Sequence, residues 1–355
     1  MNNKKIYGLT GKDDIPNDFD LSQITSWTDD VVWPEYILKK FNPKEILEKA
    51  KHPIEMDELH HDGITGKNIS IAIIDQRLYP EHPEYKDRIK HYEMVGHWPK
   101  TENTADYHGS LVTGCAVGKT TGTAPDANIY YFAANNWPPF GKFRTAIAKI
   151  FGAKTLEQNH RAYNNMAINR VLEINKTLPE KDKIRFLSCS WGTKNDQFRE
   201  ESDKLFDECE KNGIMVLGGF YKPSRNKTIQ CNRSGITIFS DGSDITDRVK
   251  NKIGIPTDCK TTPFYKGGYI YKKFGGSSST FPYLAGIFAC ACQNNEIFFT
   301  RPNWQNELFK ITEETAIESE PGGKMINPAG IRERVSQIAR EMEMNLIKQN
   351  GTQHE

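Results

Sequence analysis

Three segments of this chain carry side chains that together could activate a nucleophile against a carbonyl group. Asp75 ends the apolar run Ile71-Ala72-Ile73-Ile74, His108 opens His108-Gly109-Ser110, and three hydroxyls, Ser277, Ser278 and Ser279, lie within Gly275–Pro282. A serine hydroxyl is a poor nucleophile at neutral pH. It needs a base to take its proton and a carboxylate to hold that base in the right tautomer. The three chemical types are present in the order Asp, His, Ser. Each segment alone has a plainer use: an Asp after a strand is commonly a turn or cap residue, and a Ser/Gly run is ordinarily a loop.

The elements that would position these groups are legible as apolar runs. Asn68–Asp75 is short and almost continuously apolar, the pattern of a central parallel strand covered on both faces. Further strands are expected at Ile129–Ala133, Ile184–Ser190 and Ile214–Gly218. Between them, Ala162–Asn175 places Ala167, Ile168, Val171 and Leu172 on one helical face, and Ser202–Lys211 is amphipathic. Strands alternating with helices imply an α/β fold, a doubly wound, mostly parallel sheet with helices on both faces. In such sheets the site lies beyond the carboxyl ends of the strands, and Asp75 sits at one. An apolar helix is expected at Tyr283–Cys292 and a charged one around Ile331–Gln349. Before all of these, Asn42-Pro43-Lys44-Glu45 reads as a helix start, with Asn42 as cap, Pro43 in the first turn and Glu45 returning a capping-box bond.

The segments also carry a family resemblance. Gly66–Asp75 with His82-Pro83-Glu84 downstream resembles the acid segment of subtilisin-like serine proteases, the subtilases. His108-Gly-Ser-Leu-Val-Thr-Gly-Cys-Ala-Val-Gly118, followed by Gly122-Thr-Ala-Pro-Asp-Ala-Asn-Ile-Tyr130, is similar to their histidine segment. Gly276, Ser277, Ser278, Pro282, Leu284, Ala285 and Gly286 match their nucleophile segment, and the spacing to Pro282 selects Ser278 among the three serines. The resemblance implies Asp75, His108 and Ser278 as catalytic triad, with an acyl-enzyme and no metal or organic cofactor. Leu187-Ser-Cys-Ser-Trp-Gly192 corresponds to a family strand that pairs with extended substrate, which implies Ser190, Trp191 and Gly192 as substrate-binding residues.

The departures are equally specific. Gln76-Arg77 stand where the family has Thr/Ser-Gly, and Arg77 is close enough in sequence to pair with Asp75. Thr280 replaces Ala or Ser. The family's oxyanion-hole asparagine has no counterpart in Gly213–Lys222, leaving Tyr221, Lys222 or Asn226 as substitutes. Losing one such donor typically lowers turnover by about 10² to 10³ without abolishing it. A competing phosphate-loop reading of Gly114–Thr120 fails because it is one residue short and follows no strand.

The resemblance covers residues 55 to 330. It gives an amino-terminal extension over residues 1–52, docking on the catalytic domain as a candidate intramolecular inhibitor, and a subtilase catalytic domain with a carboxyl-terminal helix over residues 53–355. In a chain of 355 residues, Lys+Arg 47 against Asp+Glu 46 leaves +1, so no global field recruits nucleic acid or an anionic membrane. There is no secretory h-region and no membrane-length apolar run. The seven cysteines lack paired knuckle spacing and read as reduced, buried thiols. His60, His61, His91 and His97 sit in polar stretches and are expected at the surface.

Together these imply an intracellular, cytoplasmic serine endopeptidase acting on a protein or peptide. The alternative is a pseudoprotease that binds or regulates a polypeptide without efficient cleavage.

Overall fold

The computed structural model of the protein describes residues 7–51, 54–96, 107–134, 156–191, 197–218, 228–231, 236–238, 244–248, 252–318 and 323–351. The chain begins with two short parallel strands, β1 (Tyr7–Leu9) and β2 (Ile24–Thr28), followed by helices α1 (Glu35–Leu38) and α2 (Pro43–Lys49). Asn42 caps α2 as its sequence implies, its Oδ1 accepting from Glu45 N at 3.2 Å. The Glu45 carboxylate accepts from the Asn42 side-chain amide at 3.0 Å, so the return bond goes to that side chain. A third short helix, α3 (Asp57–His61), precedes the main sheet.

That sheet holds five parallel strands: β3 (Ser70–Asp75), β4 (Ile89–Met94), β5 (Asn128–Ala133), β6 (Ile184–Cys189) and β7 (Met215–Gly218), in the order β4-β5-β3-β6-β7. Side chains of a strand alternate between faces, and β3 is buried along its whole length. Ile71 and Ile73 pack with helix α4 (Tyr107–Val117), while Ala72 and Ile74 pack with α5 (Leu156–Thr177) and α6 (Gln197–Lys211). Ala167, Ile168, Val171 and Leu172 of α5 are all buried in that second layer. The two-sided cover explains why β3 reads as one continuous apolar run.

The winding reverses at β3. The chain runs to the β4–β5 side first and then crosses β3 to build β6 and β7. The carboxyl end of β3 is therefore a topological switch point, the place where a crevice opens between connections that leave in opposite directions.

Beyond β7, two strands form a ribbon, β9 (Ile236–Ile238) and β10 (Asp244–Arg248). A small sheet joins β8 (Thr228–Cys231) and β11 (Ile253–Pro256) to β14 (Ile317–Glu318) and β15 (Lys324–Met325). The hairpin β12 (Lys260–Pro263) and β13 (Tyr269–Lys272) then leads to helix α7 (Thr280–Cys292). Helix α7 is buried throughout and lies with α4 on the Ile71 face. Helices α8 (Trp304–Thr315) and α9 (Pro328–Gly351) close that layer. Among the described residues no helix is long and apolar enough to cross a membrane.

Strand β2 pairs antiparallel with β13, with Trp27 opposite Tyr271, so the amino-terminal extension and the hairpin before α7 form one sheet, β1-β2-β13-β12. Trp27 stacks on Tyr271 with ring centroids 4.1 Å apart. Leu9, Ile24, Val31, Leu47 and Ala50 complete a separate small core there. Helix α2 is stitched to β12: Thr261 N donates to Ala50 O at 3.0 Å and Thr261 Oγ1 to Leu47 O at 2.7 Å.

Candidate active site

Asp75 is the last residue of β3 and is fully buried. Its Oδ1 accepts two hydrogen bonds, from Gln76 N at 2.7 Å and from His108 Nδ1 at 2.6 Å. A carboxylate held in this way fixes the imidazole ring and its tautomer. The Arg77 charge favours the ionised form of Tyr92 on the edge strand β4, although burial dominates and pushes that phenol up to about 12.

His108 stands in the first turn of α4, and the next residue explains how the helix comes so close. A Cβ on Gly109 would lie 2.4 Å from Gln76 O and 2.5 Å from the Tyr131 hydroxyl, so only glycine admits this approach. The Tyr131 hydroxyl in turn donates to Gln76 O, which pins the turn after Asp75 despite the unusual Gln76-Arg77 pair. Burial by itself disfavours the imidazolium of His108. The charge and hydrogen bond of Asp75 outweigh it and leave the pKa above the ordinary value of 6.5, while Lys272 and Lys260 pull it back down.

Ser278 is the middle residue of the 3-10 turn Ser277–Ser279, which runs directly into α7. Its neighbour across the site is Ser190, the residue after β6. Ser190 Oγ donates to Ser278 O at 2.8 Å, and Ser278 Oγ reaches Ser190 O at 3.5 Å. Because β3 and β6 are paired, with Ile74 opposite Cys189, Asp75 and Ser190 leave adjacent strand ends. The Asp75–His108 pair and the Ser190–Ser278 pair thus stand over the same switch point. No hydrogen bond joins His108 to Ser278 among the described residues; the hydroxyl faces Ser190 O. Catalytic hydrogen bonds of this kind are often long or unmade in free enzymes and tighten around substrate.

Trp191 turns its indole into the layer behind the sheet, packing on Phe206 of α6 with centroids 6.1 Å apart. Gly192 and the three candidate oxyanion donors, Tyr221, Lys222 and Asn226, lie outside the described residues. At the start of α7 the Ser279 and Thr280 N–H groups are bonded to Gly276 O and Ser277 O, so this helix end offers its dipole rather than those donors toward a developing negative charge. The would-be phosphate loop is otherwise engaged: Thr120 donates through its N and Oγ1 to Glu84, at 2.7 and 2.6 Å. Of the histidines expected at the surface, His60 is instead half-buried and bonded to Thr123 O at 3.0 Å, while His97 lies outside the described residues. All seven cysteines are free; six are buried and Cys259 is partly exposed.

The structure adds two residues that motif matching does not find. Lys260 is fully buried, with Nζ donating to the Ser279 hydroxyl and lying 3.6 Å from Cys115 Sγ. Lys272 lies with its Nζ 4.8 Å from the ring centre of Tyr107, the residue before His108. Burial, then the charge of Lys260, pulls the Lys272 pKa down to about 8. Both lysines belong to the β12–β13 hairpin, which carries no apolar run that would flag it.

Comparison with known proteins places the chain in a family. The profile of the Subtilase family matches residues 66–338. Neuroendocrine convertase 2 of Caenorhabditis elegans is 23% identical over 317 residues, covering 79% of this chain and 45% of the relative. The subtilisin-like protease PopC of Myxococcus xanthus is 29% identical over 80 residues, 20% of this chain and 17% of the relative. The chain therefore spans less than half the length of these curated relatives. Among solved structures, the prenylagaramide maturation protease PagA superposes with a TM-score of 0.55 at 15% identity, covering 79% of this chain and 98% of that one. The PatG macrocyclase domain does so with a TM-score of 0.52 at 14% identity, covering 81% and 98%. These likenesses show a subtilisin-like α/β fold. With the matched profile spanning most of the sequence, the chain belongs to the subtilase family of serine-type endopeptidases.

Proposed function

We propose that this chain hydrolyses peptide bonds through an acyl-enzyme on Ser278. His108 takes the hydroxyl proton and returns it to the leaving amine. Asp75 orients the ring and stabilises the imidazolium, and water then releases the acyl group. The observation that carries this reading is the 2.6 Å bond from His108 Nδ1 to the buried Asp75, set over the same strand ends as the Ser190–Ser278 pair. Ser190, Trp191 and Gly192 would take an extended peptide by strand addition, since β6 ends there with its backbone continuing past the sheet. Membership of a protease family, and a fold shared with two peptide-maturation enzymes, support a protein or peptide as substrate. Seven unpaired thiols support a reducing, intracellular setting, which cell fractionation with an antibody to the chain would test.

The pseudoprotease reading is motivated by the missing oxyanion asparagine and the Gln76-Arg77 departure, and the Ser278 hydroxyl directed at Ser190 O rather than at His108 favours it further. Fluorophosphonate labelling separates the two. Labelling of the full chain that disappears in Ser278→Ala and in His108→Ala is the result expected of an activated serine. A well-folded protein that never labels would favour binding without cleavage.

A further inference from the structure

Among the described residues, Lys260 is the lysine that is fully buried. Its relative exposure is 0%, and a buried ammonium forfeits its hydration unless strong partners replace it. Its surroundings come from five places in the chain. Helix α4 offers Cys115 Sγ at 3.6 Å and, farther off, His108. The nucleophile turn offers the Ser279 hydroxyl, and α7 offers the face of Tyr283, 5.1 Å from Nζ to ring centre. Strand β13 contributes the repelling charge of Lys272, and Asp258, just before β12, contributes an attractive one. Burial dominates and lowers the Lys260 pKa. None of these contacts is a carboxylate at bonding distance, so the residue is not half of a stabilising salt bridge. Placing an amine here, where a methionine would fill the same space without loss of hydration, calls for a use.

Two uses fit an amine bonded to a serine. Lys260 and Ser279 could form a separate nucleophilic dyad, but the Ser279 hydroxyl is only 2% exposed and no carbonyl could reach it. The other use lies one residue away. Ser279 directly follows Ser278, and the turn that contains both has few other restraints: Ser279 N bonds Gly276 O at 3.1 Å, and Ser190 holds Ser278 from the opposite side. A Cβ on Gly275 would meet Thr257 O at 1.8 Å, so the chain enters the turn pressed against the backbone just after β11. Lys260 grips the far side of this turn from within the protein.

We propose that Lys260 is a positioning residue for the Ser278 reaction: its buried amine anchors the Ser279 hydroxyl and so holds the turn that presents Ser278. The inference rests on the hydrolytic reading above. Under it, the basicity of His108 is a balance between Asp75, which favours the imidazolium, and the lysine pair of the hairpin, which opposes it.

The test uses the full chain in wild-type, Lys260→Met, Ser279→Ala and Ser278→Ala forms, with two readouts: the fluorophosphonate labelling rate against pH, and the His108 ring titration by NMR, assigned by its loss in His108→Gln. Lys260→Met is expected to raise the His108 midpoint by about half a pH unit or more, move the acid limb of labelling with it, and slow labelling about tenfold on the plateau. Ser279→Ala, which keeps the charge and removes the anchor, is expected to slow labelling while leaving the His108 midpoint in place. The NMR readout does not depend on activity, and Ser279→Ala retains the buried lysine should Lys260→Met fold poorly. A plateau rate within twofold of wild type in both variants, with an unmoved His108 midpoint in Lys260→Met, would overturn the proposal while leaving hydrolysis intact. Wild type that does not label at all would overturn the hydrolytic reading and this inference with it. Labelling that survives Ser278→Ala but not Ser279→Ala would make Lys260 a partner of the nucleophile itself and overturn the positioning role.

Discussion

Ser190 and Ser278 hold each other across the end of strand β6: the Ser190 hydroxyl donates to the Ser278 carbonyl at 2.8 Å, and the Ser278 hydroxyl reaches the Ser190 carbonyl at 3.5 Å. The first bond is short and the second is at the limit of a hydrogen bond. The backbone of Ser278 is therefore tied to the end of β6 while its hydroxyl is only loosely retained. Rotation of the hydroxyl toward His108 would give up very little.

Ser190→Ala removes the strong bond and keeps the weak one. One net hydrogen bond is worth about 1 kcal/mol, so kcat should fall about fivefold to tenfold with KM nearly unchanged. Steady-state kinetics on a peptide substrate measures this, and an unchanged kcat would remove Ser190 from the positioning of Ser278.

The pH profile follows from the raised pKa of His108. A general base must be neutral, so activity should rise with pH along a limb whose midpoint lies above 6.5. Stability runs the other way. A histidine whose pKa is raised by folding contributes stability that is complete below its unfolded value and is lost as pH rises through the folded value. Asp75→Asn should move the limb down, because the charge that favours the imidazolium is gone, and should lower kcat on the order of 10⁴-fold by freeing the ring tautomer. A limb that stays in place in Asp75→Asn would mean that another group titrates.

Gly109→Ala tests the close approach of α4 to the turn after Asp75. The new methyl would meet backbone at 2.4 Å, and backbone cannot swing aside as a flexible side chain can. Overpacking of this kind costs about 1–3 kcal/mol. Denaturant unfolding should show that loss, and labelling of Ser278 should fall further than stability does, because the displaced element carries His108.

The amino-terminal segment is expected to behave as a strut. An inhibitor segment would leave a more active enzyme when removed. Here β2 supplies a pairing partner to β13 and Trp27 stacks on Tyr271, so deletion of residues 1–51 should reduce both activity and melting temperature. Trp27→Ala, which leaves the segment in place, should cost about 3–5 kcal/mol. A truncated protein that labels faster than the full chain would restore the inhibitor reading.

The sequence makes the central sheet and the pairing of Asp75 with His108 legible for a physical reason. Strand β3 is covered on both faces, so its apolar run has no interruption, and His108 is followed by small residues because its helix must touch the turn after Asp75. What stays hidden is half-exposed or charged. Strand β4, Ile89–Met94, sits at the sheet edge and alternates Lys90 and Glu93 with Ile89 and Tyr92. The β12–β13 hairpin hides its strands among Lys260, Thr261, Thr262 and Lys272, residues whose burial no periodicity rule would assign. Buried Thr261 is satisfied there by the extension, through Leu47 O and Ala50 O, a long-range fact that local pattern cannot carry.

The pairing of β2 with β13 also sets a clock on the life of the chain. Thr28 and Ile270 lie more than two hundred residues apart in sequence, yet they are partners in the sheet that steadies the approach to Ser278. Contacts that close such long loops form late in folding, and during synthesis they cannot form until the distal strand has emerged. Until residues 269–292 emerge, a nascent chain lacks both the β13 partner of β2 and the α7 cover of the Ile71 face of the main sheet. Bracing of the serine turn by the extension therefore waits on the emergence of β13.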